Sequence, residues 1–188
     1  MDFITSILSM IFILSIPVFL QFIQPYQRDR IISFLNPESD PLGRGYQLIQ
    51  SKIALGSGGA TGKGFLQGSQ SYLDYLPEKH TDFIFTLFSE EFGFVGSIAL
   101  LSIYALIIFG VIAIGYRVRN NFSKLYCFGF AACFGMYVAV NMSMVLGLLP
   151  IVGAPLPIMS YGGSSMLSIM IGLGFVMSCK VHERTEVD

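Results

Sequence analysis

Four stretches of this chain are long and apolar enough to cross a lipid bilayer, and that constrains its fold more than any other feature. A hydrocarbon core of about 30 Å takes about 20 residues of helix at 1.5 Å each. Such stretches run over 3–23, 94–116, 125–149 and 156–178. Charged residues make up only 12% of the chain and hydrophobic ones 53%, against about 25% charged in soluble domains. The fold class is therefore an all-α integral membrane protein, with four transmembrane helices in a single membrane domain over 1–188. A net charge of −1 gives no reason to expect nucleic acid as a partner.

The first stretch has no basic lead-in, exceeds the length of a signal-peptide core and lacks a small-residue cleavage site, so it reads as a span. Pro17 is expected to kink it. Orientation follows from the basic residues. Arg117, Arg119 and Lys124 crowd the link between the second and third spans, and Lys180 and Arg184 follow the fourth. Those ends, and with them both termini, are expected to be cytoplasmic. The segment from about 24 to 93 is then extracytoplasmic. It is too long for a simple connector, and its short apolar pieces suggest interfacial helices. Ala131, Gly135, Ala139 and Ser143 form a small-residue seam on span three, and Ser160, Gly162, Gly163 and Ser164 are expected to pack span four against its neighbours. Cys127, Cys133 and Cys179 have neither metal spacing nor an obvious disulfide mate and read as small apolar residues.

The long polar segment holds nearly all the possible chemistry. Gly56-Ser-Gly-Gly-Ala-Thr-Gly-Lys-Gly64 suggests a phosphate loop but fails in detail. Ser57 stands where the motif needs its first Gly, and Gly64 stands where it needs Ser or Thr. Two readings stay open. One is a flexible turn; the other is a backbone nest at Gly58 and Gly59 that, with Lys63, holds an anionic substrate. In Leu76-Pro-Glu-Lys-His-Thr-Asp-Phe-Ile-Phe85, Asp82 precedes an apolar run. It could cap a helix, or serve as an acid–base carboxylate kept ionised by that helix's N-terminus. Glu78 and His80 stand beside it as candidates for contacting substrate. Arg28, Arg30, Arg44, Lys52 and Lys79 are scattered along the same segment. They are either solvated or converge in part on a diphosphate, with Arg44 a candidate. The spans themselves contain no Asp, Glu, Lys, Arg or His, which argues against an ion-coupled carrier.

Several motifs together resemble a known family. Pro25-Tyr-Gln, the run Phe34-Leu-Asn-Pro-Glu-Ser-Asp-Pro-Leu-Gly-Arg-Gly-Tyr46, the stretch 50–59 and the stretch 76–85 look like the shape, elongation, division and sporulation (SEDS) family. So do Asn141, Gly147-Leu-Leu-Pro150 and Pro155-Leu-Pro-Ile-Met-Ser-Tyr-Gly-Gly-Ser-Ser165. Asn36 to Gly43 and the Gly-Lys-Gly at 62–64 look closer to the RodA than to the FtsW branch. Ala154 departs from the family, which usually carries a larger aliphatic there. The resemblance covers essentially the whole chain, yet the family has about ten membrane helices and this chain supplies what looks like the last four.

The resemblance implies a peptidoglycan glycosyltransferase of the bacterial cytoplasmic (inner) membrane. Such an enzyme polymerises lipid II on the outer face in cell elongation and shape control, and the family's essential loop aspartate matches Asp82. It also implies a class B penicillin-binding protein and other elongation-complex membrane proteins as partners. No metal ligand is assigned, and no cofactor is required by the motifs; a divalent cation such as Mg is an alternative to basic residues for offsetting the diphosphate charge. A lipid-precursor flippase, or a scaffold binding a penicillin-binding protein through spans three and four, are the competing readings.

Overall fold

The computed structural model describes residues 24–40, 43–68 and 81–182. Regular structure in these residues is entirely helical. It comprises α1 (Pro25–Leu35), a 3-10 turn (Pro37–Ser39), α2 (Arg44–Ser57), α3 (Ile84–Arg117), α4 (Asn121–Val145) and α5 (Gly163–Val181). Helices α3, α4 and α5 are long and apolar enough to cross a membrane. The chain is a membrane protein. The span expected over 3–23 lies outside the described residues.

Local chemistry sets the ends of each element. Pro25 opens α1, where its missing N–H costs nothing, and the Gln24 N–H donates to Gln27 Oε1 at 3.2 Å. Helix α2 buries one stripe, Gly45, Leu48, Ser51 and Ala54, at helical spacing. Gly45 has to be small, because a Cβ there would lie 2.1 Å from the Pro37 carbonyl oxygen.

Helix α3 is broken at Gly93, whose φ of 67° and ψ of −163° are not helical. The part after the break, 94–117, is about 36 Å long at 1.5 Å per residue and suffices to cross a bilayer. It coincides with the span expected from 94. Asn120 caps α4 by accepting the Phe122 N–H at 2.8 Å. The helix therefore starts at 121 rather than 125, and it stops at 145 rather than 149. There Gly147 turns the chain with a φ of 71°.

The fourth span needs a larger correction. Residues 156–162 are not helical, and α5 begins at Gly163. Pro155 and Pro157 lack N–H donors, and Ile158 adopts a φ of 69°, so this apolar stretch folds as an irregular segment. Of the small residues expected to pack span four, Ser160 is buried, whereas Gly163 and Ser164 are exposed. A Cβ on Gly163 would meet nothing within 4 Å, whereas one on Gly172 would sit 2.2 Å from the Phe130 ring. The close approach of α4 and α5 is therefore at Gly172. In the α4 seam, Ala131 is buried and Ala139 is exposed.

Two apolar clusters hold the helices together. Phe83, Phe85, Tyr104, Phe134, Met142 and Leu156 gather at the end of the bundle that carries the start of α3. Val111, Cys127, Ala131 and Val176 join α3, α4 and α5 farther along. Other large apolar side chains point outward. Leu106, Phe109, Leu125 and Met136 are each more than half exposed, as helices in lipid require.

Candidate active site around Asp82

Residues 81–83 form a turn at the head of α3. Phe83 drives its side chain into the core, where it is 1% exposed, worth about 1.5–3 kcal/mol of apolar transfer for such a side chain. Asp82 is left half-buried beside it. Two hydrogen bonds then fix the turn's backbone. Ser160 Oγ donates to the Thr81 carbonyl at 2.6 Å, and Asn141 Nδ2 donates to the Asp82 carbonyl at 2.9 Å.

Both side chains also grip the irregular segment before α5. Asn141 Nδ2 donates to the Ala154 carbonyl at 2.6 Å, and Ser160 Oγ accepts the Leu156 N–H at 2.7 Å. The Tyr104 hydroxyl donates to the Pro157 carbonyl at 2.6 Å, and Arg30 Nη1 to the Val152 carbonyl at 3.0 Å. A proline-rich segment has no ladder of its own, so its carbonyls need such outside donors. Ala154 contributes through its carbonyl, which any residue carries, so its departure from the family's larger aliphatic leaves this contact intact. The result is a close seat for the carboxylate: a Cβ on Gly153, whose φ is 78°, would lie 3.2 Å from Asp82 Oδ2. Helix α3 takes Phe83 as its N-cap residue, without a capping bond from that side chain. Asp82 stands one position earlier than a standard N-cap.

In the glycine loop, backbone hydrogen bonds hold the chain against the break in α3. The Lys63 and Gly64 N–H groups donate to the carbonyls of Glu90 and Glu91, both at 3.0 Å, and the Gly62 N–H donates to Gly58 at 2.8 Å. In return, Phe94 and Val95 donate to the carbonyls of Gly59 and Ala60 at 2.9 and 3.1 Å. A Cβ on Gly58 would lie 2.3 Å from the Ser89 carbonyl oxygen. The loop is thus a clamp on the break in α3, and these N–H groups are spent on the chain itself. Lys63 Nζ meets Glu90 Oε1 at 2.7 Å, with the Glu90 side chain fully buried. Removing one partner of a buried ion pair costs about 3 kcal/mol or more. Lys63→Met is therefore expected to lower stability by that amount in detergent unfolding. The double variant with Glu90→Gln should recover at least half of the loss, which a denaturation series on all three proteins measures.

Arg30 serves Val152, and Arg44 begins α2, on the far side of the 3-10 turn from α1. Glu78, Lys79 and His80 lie outside the described residues. Among the described residues no three His, Cys, Asp or Glu side chains gather to hold a metal ion, and a divalent cation stays an alternative to basic side chains. Beside the Asp82 turn opens a groove of about 580 Å³, lined by Ile84, Ile158, Met159, Ser160, Tyr161, Gly162, Gly163 and Met166. Its lining is largely apolar.

Sequence reasoning passed over Ser160, Gly153 and Glu90 as site builders and gave Asn141 no role. A signal for Asn141 was present: it is an amide within an apolar run, and polar groups inside a membrane span are seldom idle.

Comparison with known proteins gives a consistent picture. The family described as cell cycle proteins FTSW, RODA and SPOVE matches residues 1–185. The peptidoglycan glycosyltransferase MrdB of Escherichia coli (strain K12) is 51% identical over 159 residues, covering 85% of this chain and 43% of MrdB. The peptidoglycan glycosyltransferase RodA of Treponema pallidum is 45% identical over 161 residues, covering 86% of this chain and 37% of RodA. One solved structure, described as showing coordination of polymerization and crosslinking by a peptidoglycan synthase complex, contains a chain that superposes with a TM-score of 0.72 at 33% identity. It covers 97% of this chain and 49% of that one. The chain thus spans less than half the length of the relatives it matches.

Proposed function

Because the chain belongs to the FtsW, RodA and SpoVE family of cell cycle proteins, we propose that it carries the acid–base half of a peptidoglycan glycosyltransferase. The substrate is lipid II, a disaccharide on an undecaprenyl diphosphate, and the reaction extends a glycan strand. The observation that carries this reading is the seating of Asp82. A half-buried carboxylate sits against Gly153, with its backbone held by Asn141 and Ser160.

In the reaction a sugar hydroxyl attacks the anomeric carbon of the donor. The new C–O bond forms as the bond to the diphosphate breaks, and the hydroxyl proton passes to the Asp82 carboxylate. Such a base contributes about 10²–10⁴-fold. The diphosphate leaves with its electron pair and needs charge stabilisation more than protonation. The candidates for that role are the basic side chains of the long polar segment, Arg44 among them. The largely apolar groove beside Ser160 suits the lipid part of such a substrate.

The reaction takes place on the outer face of the bacterial inner membrane, with Arg117, Arg119 and Lys124 on the cytoplasmic side together with both termini. A class B penicillin-binding protein and other elongation-complex membrane proteins are the proposed partners, a reading supported by the resemblance to a chain of a peptidoglycan synthase complex. The test is glycan extension from purified lipid II by the full-length protein with its partner. Long strands are expected. Movement of lipid II across vesicles with no strand growth would favour a flippase, and neither outcome would favour a scaffold.

A further inference from the structure

We infer that Asn141 is a positioning residue for Asp82, an inference that rests on the catalytic reading of that carboxylate. Asn141 is fully buried near the end of α4. Its two close contacts, at 2.9 and 2.6 Å, are both carbonyl oxygens, those of Asp82 and Ala154. Only a nitrogen with two N–H groups satisfies two carbonyls at once, so the orientation of the amide is fixed by its partners. That orientation leaves Asn141 Oδ1 buried without a hydrogen-bond partner. A buried unsatisfied acceptor is destabilising, and an apolar residue at this site would remove that penalty. The amide's value therefore lies in what its donors hold.

They hold the two halves of the seat. One N–H binds the peptide carrying Asp82, and the other binds the residue after Gly153, which lies beneath the carboxylate. The Asp82 turn and the irregular segment are far apart in sequence, and the amide spans them directly. Ser160 makes a parallel link one residue earlier, from Leu156 to Thr81. Losing the amide leaves the core helices and the Ser160 link intact but frees the Asp82 peptide to shift relative to Gly153. Small misplacements of a catalytic group are costly in rate.

The experiment uses full-length protein with Asn141→Leu, which keeps the branched skeleton and removes both donors, and Asn141→Ser, which is small and keeps one. Each is made with Asp82 intact and in an Asp82→Asn background. Rates are expressed per folded protein. With Asp82 intact, kcat for glycan extension should fall about 10–100-fold in the Leu variant and less in the Ser variant, with KM for lipid II within about twofold. In the Asp82→Asn background the same changes should have almost no further effect. Equal fold-losses in both backgrounds, or an unchanged kcat, would overturn the inference. Should the Leu variant not fold, the Ser variant decides by the same comparison. Normal activity of Asp82→Asn alone would instead remove the catalytic reading, which keeps the two failures apart.

Discussion

Asp82→Asn is expected to lower glycan polymerisation by about 10²-fold or more while leaving the protein folded. Asn keeps the size of the side chain and its ability to accept hydrogen bonds, but it does not take up a proton at neutral pH. The contacts that hold the turn use the backbone carbonyls of Thr81 and Asp82, so they survive the change. A capping role predicts the opposite, because Asn caps a helix about as well as Asp. The two accounts separate cleanly in a polymerisation assay normalised to folded protein. Near-normal synthesis would exclude Asp82 as the base and direct attention to Glu91, Glu90 or Glu78.

The second large effect falls on the fold. Gly93→Val should remove most folded protein from detergent extracts. The φ of 67° and ψ of −163° at Gly93 lie in a region that is essentially glycine's alone, and a non-glycine residue there costs about 1–3 kcal/mol in strain. Space is lacking as well: a Cβ would sit 2.2 Å from the Gly62 nitrogen and 2.7 Å from the Thr61 carbonyl carbon. These are backbone atoms and cannot swing aside. The glycine clamp would have to lift from the break, taking the Lys63–Glu90 pair with it. Gly163→Ala is the contrasting control, with nothing within 4 Å of the added carbon. Its stability should stay within about 0.5 kcal/mol of the parent. A size-exclusion profile of both variants distinguishes the two cases.

Hydropathy located α3 and α4 well because lipid demands long apolar runs and the sequence supplies them. The break at Gly93 even falls where the second expected span begins. The same measure misjudged 156–162, since an apolar stretch that packs on other helices looks like one that faces lipid. Pro155 and Pro157 carried the correct information, as residues that cannot sustain a helix interior. The glycine loop left two readings open for a related reason. A run of glycines announces close backbone approach, but composition does not say whether the neighbour is a ligand or, as at Gly58 and Gly62, the chain itself. Asp82 was legible as a candidate chiefly from the family resemblance, since its place before an apolar run suits a helix cap equally. Its seat was not, because Asn141, Gly153 and Ser160 are brought to it from distant positions by tertiary packing alone.

Direct attack of a sugar hydroxyl on the anomeric carbon of lipid II inverts that centre, so an α-linked donor should give a β-linked strand. Proton NMR of the glycan made by purified full-length protein and its partner reads the configuration of each new linkage, and the released undecaprenyl diphosphate can be counted beside it. The prediction is uniformly β linkages with one diphosphate released per disaccharide added. Retention of the α configuration, or diphosphate release without strand growth, would contradict it.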